Sequence, residues 1–538
     1  MNKPFHSESP AGAVIRNPVL RGFNPDPSIL RVGGDYYIAT STFEWFPGVQ
    51  IHHSRDLANW RLLTRPLVRR SQLDLLGNPD SGGIWAPCLS FADGLFHLIY
   101  TDVKAWKGNA YKIAHNYLVT APAIEGPWSV PVFLNSSGFD PSLFHDDDGR
   151  KWFVNMLWDH RQQHNRFAGI LLQEFCPRTR RLIGPVTNIF RGTARGLVEG
   201  PHLYKRGGWY YLLTAEGGTE YAHACTLARS RQLAGPYELH PDTHLLTAWC
   251  HPESPLHKTG HGSLVETPSG EWYLAHLCGR PIDGKHCTLG RETAIQQCVW
   301  RDDGWLYLAH GGPLPALEVP SPAGHAPAPF PEVPWDGRFD QPELDPHFQS
   351  LRQPVSAAWL SLTERPGFLR LKGMEPTVST FRQSLVARRV QAFEISAETS
   401  VEFEPATFQQ MAGLIAYYDT GNHCYLRISR DENLGRTLNI IVTDAGHSCE
   451  VLAEDVAIPD SGAVDLRLTL NRGALWFEFR LAGEPWQRIG PVLDAAILSD
   501  DHHHLGFTGA FVGVCCQDLT GARRPADFAR FVYREGGN

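Results

Sequence analysis

Asn24-Pro25-Asp26-Pro27-Ser28 leads into Ile29-Leu30-Arg31-Val32, a turn at Gly33-Gly34-Asp35, and then Tyr36-Tyr37-Ile38. That is a short strand, a glycine-enabled turn and a second strand rich in aromatic and β-branched residues. The pattern returns four times. It reappears at Trp85-Ala86-Pro87-Cys88-Leu89 with a turn at Asp93-Gly94, and at Asp140-Pro141-Ser142-Leu143-Phe144 with a turn at Asp148-Gly149. It recurs at Glu199-Gly200-Pro201-His202-Leu203 with a turn at Gly207-Gly208, and at His261-Gly262-Ser263-Leu264-Val265 with a turn at Ser269-Gly270. Aligned on Pro27, Pro87, Pro141, Pro201 and Gly262, the spacings are 60, 54, 60 and 61 residues. Hairpins repeated at that period predict a five-bladed β-propeller over residues 16–312. The first strand of each blade then lines the axis, so Asp26, Trp85, Asp140, Glu199 and His261 converge on one small volume.

Between 313 and 334 eight prolines fall in 22 residues, which favours extended polyproline backbone and marks a linker between domains. Beyond it, from 335 to 538, stretches such as Val464-Asp465-Leu466-Arg467-Leu468-Thr469-Leu470 and Leu475-Trp476-Phe477-Glu478-Phe479-Arg480 alternate apolar and polar residues. Period-two strands between turn residues predict an antiparallel β-sandwich. The expected class is all-β throughout.

A length of 538 residues calls for at least two cores. A net charge of −8 without a like-charge run speaks against nucleic acid or anionic membrane as partner. No stretch approaches a membrane span, and the first residues lack an apolar signal region. Eleven cysteines without a Cys-x-x-Cys pair read as reduced thiols, predicting a cytoplasmic protein.

Asp26 and Asp140 each precede a proline, and alone either reads as a turn aspartate. Their recurrence at equivalent blade positions, with Glu199 at the mouth of an apolar strand, favours chemistry, because a buried carboxylate is costly unless paired or used. Three adjoining carboxylates raise one another's pKa, which suits a reaction needing one ionised and one protonated acid. Arg291 is read either as an ion pair with Glu292 or as a clamp on a catalytic carboxylate or on sugar hydroxyls. His261 and His276 on the fifth repeat read as core histidines, Asp146-Asp147-Asp148-Gly149 as a hairpin turn, and His502-His503-His504 as a polar loop.

In combination, Asn24-Pro25-Asp26-Pro27-Ser28, Ser41-Thr42-Phe43-Glu44-Trp45-Phe46-Pro47-Gly48, Gly83-Ile84-Trp85-Ala86-Pro87, Gly138-Phe139-Asp140-Pro141-Ser142 and Glu199-Gly200-Pro201-His202 resemble glycoside hydrolase family 43. Leu289-Gly290-Arg291-Glu292-Thr293-Ala294 and Gly506-Phe507-Thr508-Gly509-Ala510-Phe511 fit its two-domain β-xylosidase branch. The resemblance implies a propeller followed by a concanavalin-like sandwich that releases xylose from the non-reducing end of xylo-oligosaccharides. By the same resemblance Asp26 is the general base, Asp140 the pKa modulator and Glu199 the general acid of an inverting hydrolase. Phe43, Trp85, Phe139, His261 and Arg291 shape the sugar pocket, and Phe511 reaches it from the second domain. No cofactor is expected to be required, and a homo-oligomer is expected; the resemblance admits a calcium ion on the propeller axis with His276 as ligand. Two other readings remain open at this point: an α-L-arabinofuranosidase, and a non-catalytic glycan-binding protein, against which the three acids speak.

Overall fold

A computed structural model describes residues 14–324 except 109, 327–331, and 337–536 except 504. Five four-stranded antiparallel sheets follow one another between Ser28 and Leu308, each with its strands in chain order except that Trp45–Phe46 leaves the first. The innermost strands are Ser28–Val32, Gly83–Ala92, Ser142–His145, Glu199–Arg206 and His257–Glu266. Side-chain hydrogen bonds stitch each to the next. Leu89 N–H donates to Ser28 Oγ (3.0 Å), His145 Nε2 meets Ser90 Oγ (2.9 Å) and Ser142 Oγ donates to the Pro201 carbonyl (2.6 Å). Leu264 N–H donates to the Tyr204 hydroxyl (2.8 Å), and Ile29 N–H to Ser263 Oγ (3.2 Å) closes the ring. Serines therefore tie four of the five blade junctions, and Tyr204 ties the fourth blade to the fifth.

The proline-rich stretch is more ordered than a bare spacer. Glu318–Pro320 pairs antiparallel with Val14–Arg16, and Val319 is buried. Farther on, Ala328 N–H donates to Asp56 (2.7 Å) and Phe330 lies under the Arg61 guanidinium. Proline bars this strap from a sheet interior but not from a two-stranded edge. Residues 325, 326 and 332–334 of the expected linker lie outside the described residues.

The C-terminal part forms two stacked antiparallel sheets. In Ala463–Asn471 the buried positions alternate, with Val464, Leu466, Leu468 and Leu470 all inward, as the period-two pattern requires. The only helix among the described residues is a 3₁₀ turn at Ala495–Leu498, capped by Asp494. One sandwich sheet does not stop at the domain boundary. Its edge strand Gln349–Leu351 pairs with Trp45–Phe46, which the first blade sends outward. Trp45 stacks on Phe511 with ring centroids 3.7 Å apart, and Arg389 Nε donates to the Phe23 carbonyl (2.6 Å). A single apolar cluster thus runs from the propeller into the sandwich.

Candidate active site

The residues at the inner-strand starts share an uncommon backbone. Asp26, Asp140 and His261 have φ of 55°, 54° and 47°, and Gly200, at the matching position of the fourth repeat, has 57°. Left-handed backbone at a non-glycine residue is disfavoured, and it gathers where a side chain must be aimed. Glu199 precedes Gly200, so glycine takes the left-handed turn and the carboxylate sits one position earlier. The ladder is also irregular between Trp85 and Cys88, between Glu199 and His202, and between Gly260 and Ser263. Such bulges turn side chains off the sheet toward the axis.

The result is one pocket lined by Asp26, Asp140, Glu199, His261, Arg291 and Thr219 among polar residues, and by Phe43, Trp85, Phe139 and Phe507. Each carboxylate is more than nine-tenths buried. Arg291 Nη1 donates to Asp26 Oδ1 (2.7 Å) and Ser41 Oγ to Asp26 Oδ2 (2.6 Å). His261 Nδ1 stands 3.9 Å from Asp26 and 4.0 Å from Asp140, whose Oδ2 accepts the Gly200 N–H (3.1 Å). Of the two readings of Arg291, the clamp on a carboxylate holds; Glu292 pairs with Arg280 instead (2.6 Å).

These contacts separate the acids. Burial pushes the Asp26 pKa up, but Arg291, His261 and Ser41 outweigh it and hold the group below the ordinary carboxylate range. Burial and then the Asp26 charge push Glu199 upward, against Arg291 and Lys112. Asp140 is also raised, by burial and by Glu199 and Asp26. One ionised carboxylate therefore faces a pair that retains protons, an arrangement suited to acid–base cleavage of a glycosidic bond.

Comparison with known proteins decides the family. The sequence model of "Glycosyl hydrolases family 43" matches residues 15–306, and that of "Beta xylosidase C-terminal Concanavalin A-like domain" matches 337–534. The chain belongs to glycosyl hydrolase family 43. A xylosidase/arabinosidase 43B of Humicola insolens is 55% identical, covering 97% of both chains. A β-xylosidase of Bacillus subtilis is 52% identical over 97% of this chain and 99% of its own. The crystal structure of a xylan β-1,4-xylosidase from Bacillus halodurans superposes with a TM-score of 0.96 at 57% identity, covering 97% of this chain and 100% of that one.

In this family-43 hydrolase, eight of the nine residues expected to catalyse or bind sugar line the pocket; the exception is Phe511. Phe511 is fully buried between Trp45 and Phe23, as interface core, because it opens the strand Phe511–Asp518 and its side chain follows that pleat. The ring that enters from the sandwich is Phe507. It lies 5.9 Å from Phe43, 5.3 Å from Trp85 and 4.8 Å from Trp106. Its carbonyl accepts from Arg291 Nη2 (3.0 Å) and its N–H donates to Ser81 Oγ (3.0 Å). Two glycines permit this approach: a Cβ on Gly290 would stand 2.5 Å from the Thr508 carbonyl, and one on Gly509 2.8 Å from that of Leu289.

His276 is buried on the fifth blade, in the strand Trp272–Gly279. Its Nδ1 bonds the Leu277 carbonyl (2.9 Å), and its Nε2 faces the Gln296 amide nitrogen (3.3 Å). Asp146 is not a solvated turn residue, being buried against Lys205 (2.6 Å) and the Tyr210 hydroxyl (2.9 Å).

Lys112 went unrecognised in the sequence. Its Nζ lies 4.4 Å from the Trp158 ring centroid and 5.3 Å from those of Trp85 and Trp106. Burial lowers its pKa to about 8, while Glu199 pulls it back up. Only its distance from the repeats' inner strands hid it. Because the Lys112 charge lowers the Glu199 pKa, Lys112→Met is expected to move the alkaline limb of kcat/KM to higher pH. The wild-type limb itself is expected above the ordinary glutamate value of about 4.3, and the acidic limb below about 3.9. A pH profile in which Lys112→Met leaves the alkaline limb in place, or lowers it, would contradict the coupling.

Proposed function

We propose that this protein is an exo-acting β-D-xylosidase that releases xylose from the non-reducing end of β-1,4-xylo-oligosaccharides with inversion of the anomeric centre. The observation that carries the reading is the set of three buried carboxylates in a pocket lined by Phe43, Trp85, Phe139 and, from the second domain, Phe507. Aromatic faces stack on a sugar ring, and the ring that enters from the second domain supports a pocket that takes a terminal residue. Glu199, kept protonated by burial and by the neighbouring Asp26 charge, donates to the leaving oxygen. Asp26, ionised and fixed by Arg291 and Ser41, takes a proton from water on the opposite face of the ring. Asp140 holds the orientation and proton affinity of the acid, through the charge coupling between the two and the Gly200 backbone.

The acid–base pair is complete in protein side chains, so the proposed turnover requires no metal. The names of the relatives support xylose as the sugar. That one of them is also called an arabinosidase favours α-L-arabinofuranoside as a side activity. Eleven free thiols support a reducing, cytoplasmic location. We infer assembly of more than one copy, which light scattering would measure; exposed apolar side chains on the second blade, such as Phe133 on its edge strand Val132–Asn135, support it. With chromogenic substrates, kcat/KM on the β-xyloside is expected to exceed that on the α-L-arabinofuranoside at least tenfold. The reverse order would transfer the main activity to arabinose.

A further inference from the structure

The run His502-His503 follows Asp500-Asp501 in the chain. Folding brings it to Asp444, at the end of the sandwich strand Gly435–Asp444. His502 Nε2 lies 2.7 Å from Asp444 Oδ1, and one ligand atom from each of Asp444, His502 and His503 falls within 4.8 Å of the others. The two imidazoles meet edge to face with centroids 4.5 Å apart. Both histidines also line a cavity of about 490 Å³, so water can complete a coordination shell from that side.

We propose that Asp444, His502 and His503 form a binding site for a divalent transition ion of the zinc class, and that the ion clamps the 499–509 segment that carries Phe507. Two imidazoles and one carboxylate are borderline donors, suited to Zn²⁺ and not to the all-oxygen shell of Ca²⁺. Ligand bonds of about 2.0–2.2 Å put tetrahedral neighbours roughly 3.4 Å apart, so the His502–Asp444 contact need open by only about 0.7 Å. Those side chains are only partly buried and have room for that shift.

The consequence for the active site follows from how the segment is held. Asp501 is anchored to Lys258 (2.6 Å) and to the Cys287 N–H (3.1 Å), and Phe507 to Ser81 and Arg291. Between these anchors His502 is held to the sandwich by Asp444 (2.7 Å) and its ring meets those of His503 and of His286 from the propeller. Replacing a hydrogen bond by metal bonds would stiffen the middle of the segment and steady Phe507 at the pocket.

The test uses the full chain with Cys250 and Cys449, its exposed thiols, replaced by Ser so that they cannot compete for zinc. After chelation and desalting, calorimetric titration with Zn²⁺ should show one site per chain of micromolar or tighter affinity. Asp444→Asn and His503→Ala should each weaken it at least tenfold. Hydrogen exchange of residues 499–509 should slow on adding Zn²⁺ to the parent and not to either variant. Absence of a stoichiometric site, or a site indifferent to both substitutions, would overturn the binding site. Binding without added protection of 499–509 would overturn the clamp. Neither measurement depends on substrate, so their failure is distinct from failure of the proposed hydrolase activity.

Discussion

Glu199→Gln is expected to lower turnover on xylobiose by about 10²–10⁴-fold, the range for loss of a general acid. Glutamine can hold the same space but has no proton to give the leaving alkoxide. An aryl xyloside whose phenol leaves as a stable anion needs little protonation, so the variant should recover much of the lost rate on it. Asp26→Asn should fall by a similar factor on both substrates, since attack by water still lacks its base. Asp26 is bound through both oxygens by Arg291 and Ser41, and the amide would also leave the Arg291 charge buried without its counter-ion. Folding should therefore be verified by circular dichroism beside the kinetics. Equal rescue of the two variants by the good leaving group would reverse or abolish the assignment of roles.

Phe511→Ala is expected to be among the most destabilising single substitutions at the domain junction. The ring is wholly buried, stacked on Trp45 at 3.7 Å and edge-on to Phe23 at 6.0 Å. Loss of a buried phenylalanine costs about 3–5 kcal/mol, because the cavity adds to the lost transfer energy. The junction has little freedom to collapse, since Gln349–Leu351 and Trp45–Phe46 are paired across it. Phe507→Ala should behave in the opposite way: the fold is retained, while KM for xylobiose rises several-fold as an aromatic wall of the pocket is lost. Thermal melts and steady-state kinetics on the two variants separate these outcomes. A Phe511→Ala protein as stable as wild type, or a Phe507→Ala protein with unchanged KM, would contradict the placement of the two rings.

Both rings occur in the run Gly506-Phe507-Thr508-Gly509-Ala510-Phe511, and which one enters the pocket was not legible there. Turn residues mark where a chain can leave a sheet, but they do not say which neighbouring ring begins the next strand. That depends on strand Phe511–Asp518 pairing with Ser384–Arg389 and Gln410–Asp419, a tertiary choice. The propeller was legible because its cause is local and repeated: each blade needs a hairpin, and each hairpin writes its turn into the chain about every 60 residues. The positions of Asp26, Asp140, Glu199 and His261 came with it, since equivalent positions in a ring must converge. Arg291 and Lys112 lie off the inner strands. Arg291 could be named only as one of two alternatives until Asp26 was seen beside it, and Lys112 carries no local signal. The continuity of the sandwich sheet with Trp45–Phe46 was hidden for the same reason, as a two-residue pairing across about 300 positions leaves no periodicity to read.

The central claim is that Asp26 acts through water and Glu199 through a proton. Proton NMR of the sugar first released from a β-xyloside, recorded before mutarotation, tests it most directly. Attack by an Asp26-activated water gives α-xylose as the initial product. Appearance of β-xylose first would require a covalent glycosyl-enzyme and would contradict the account.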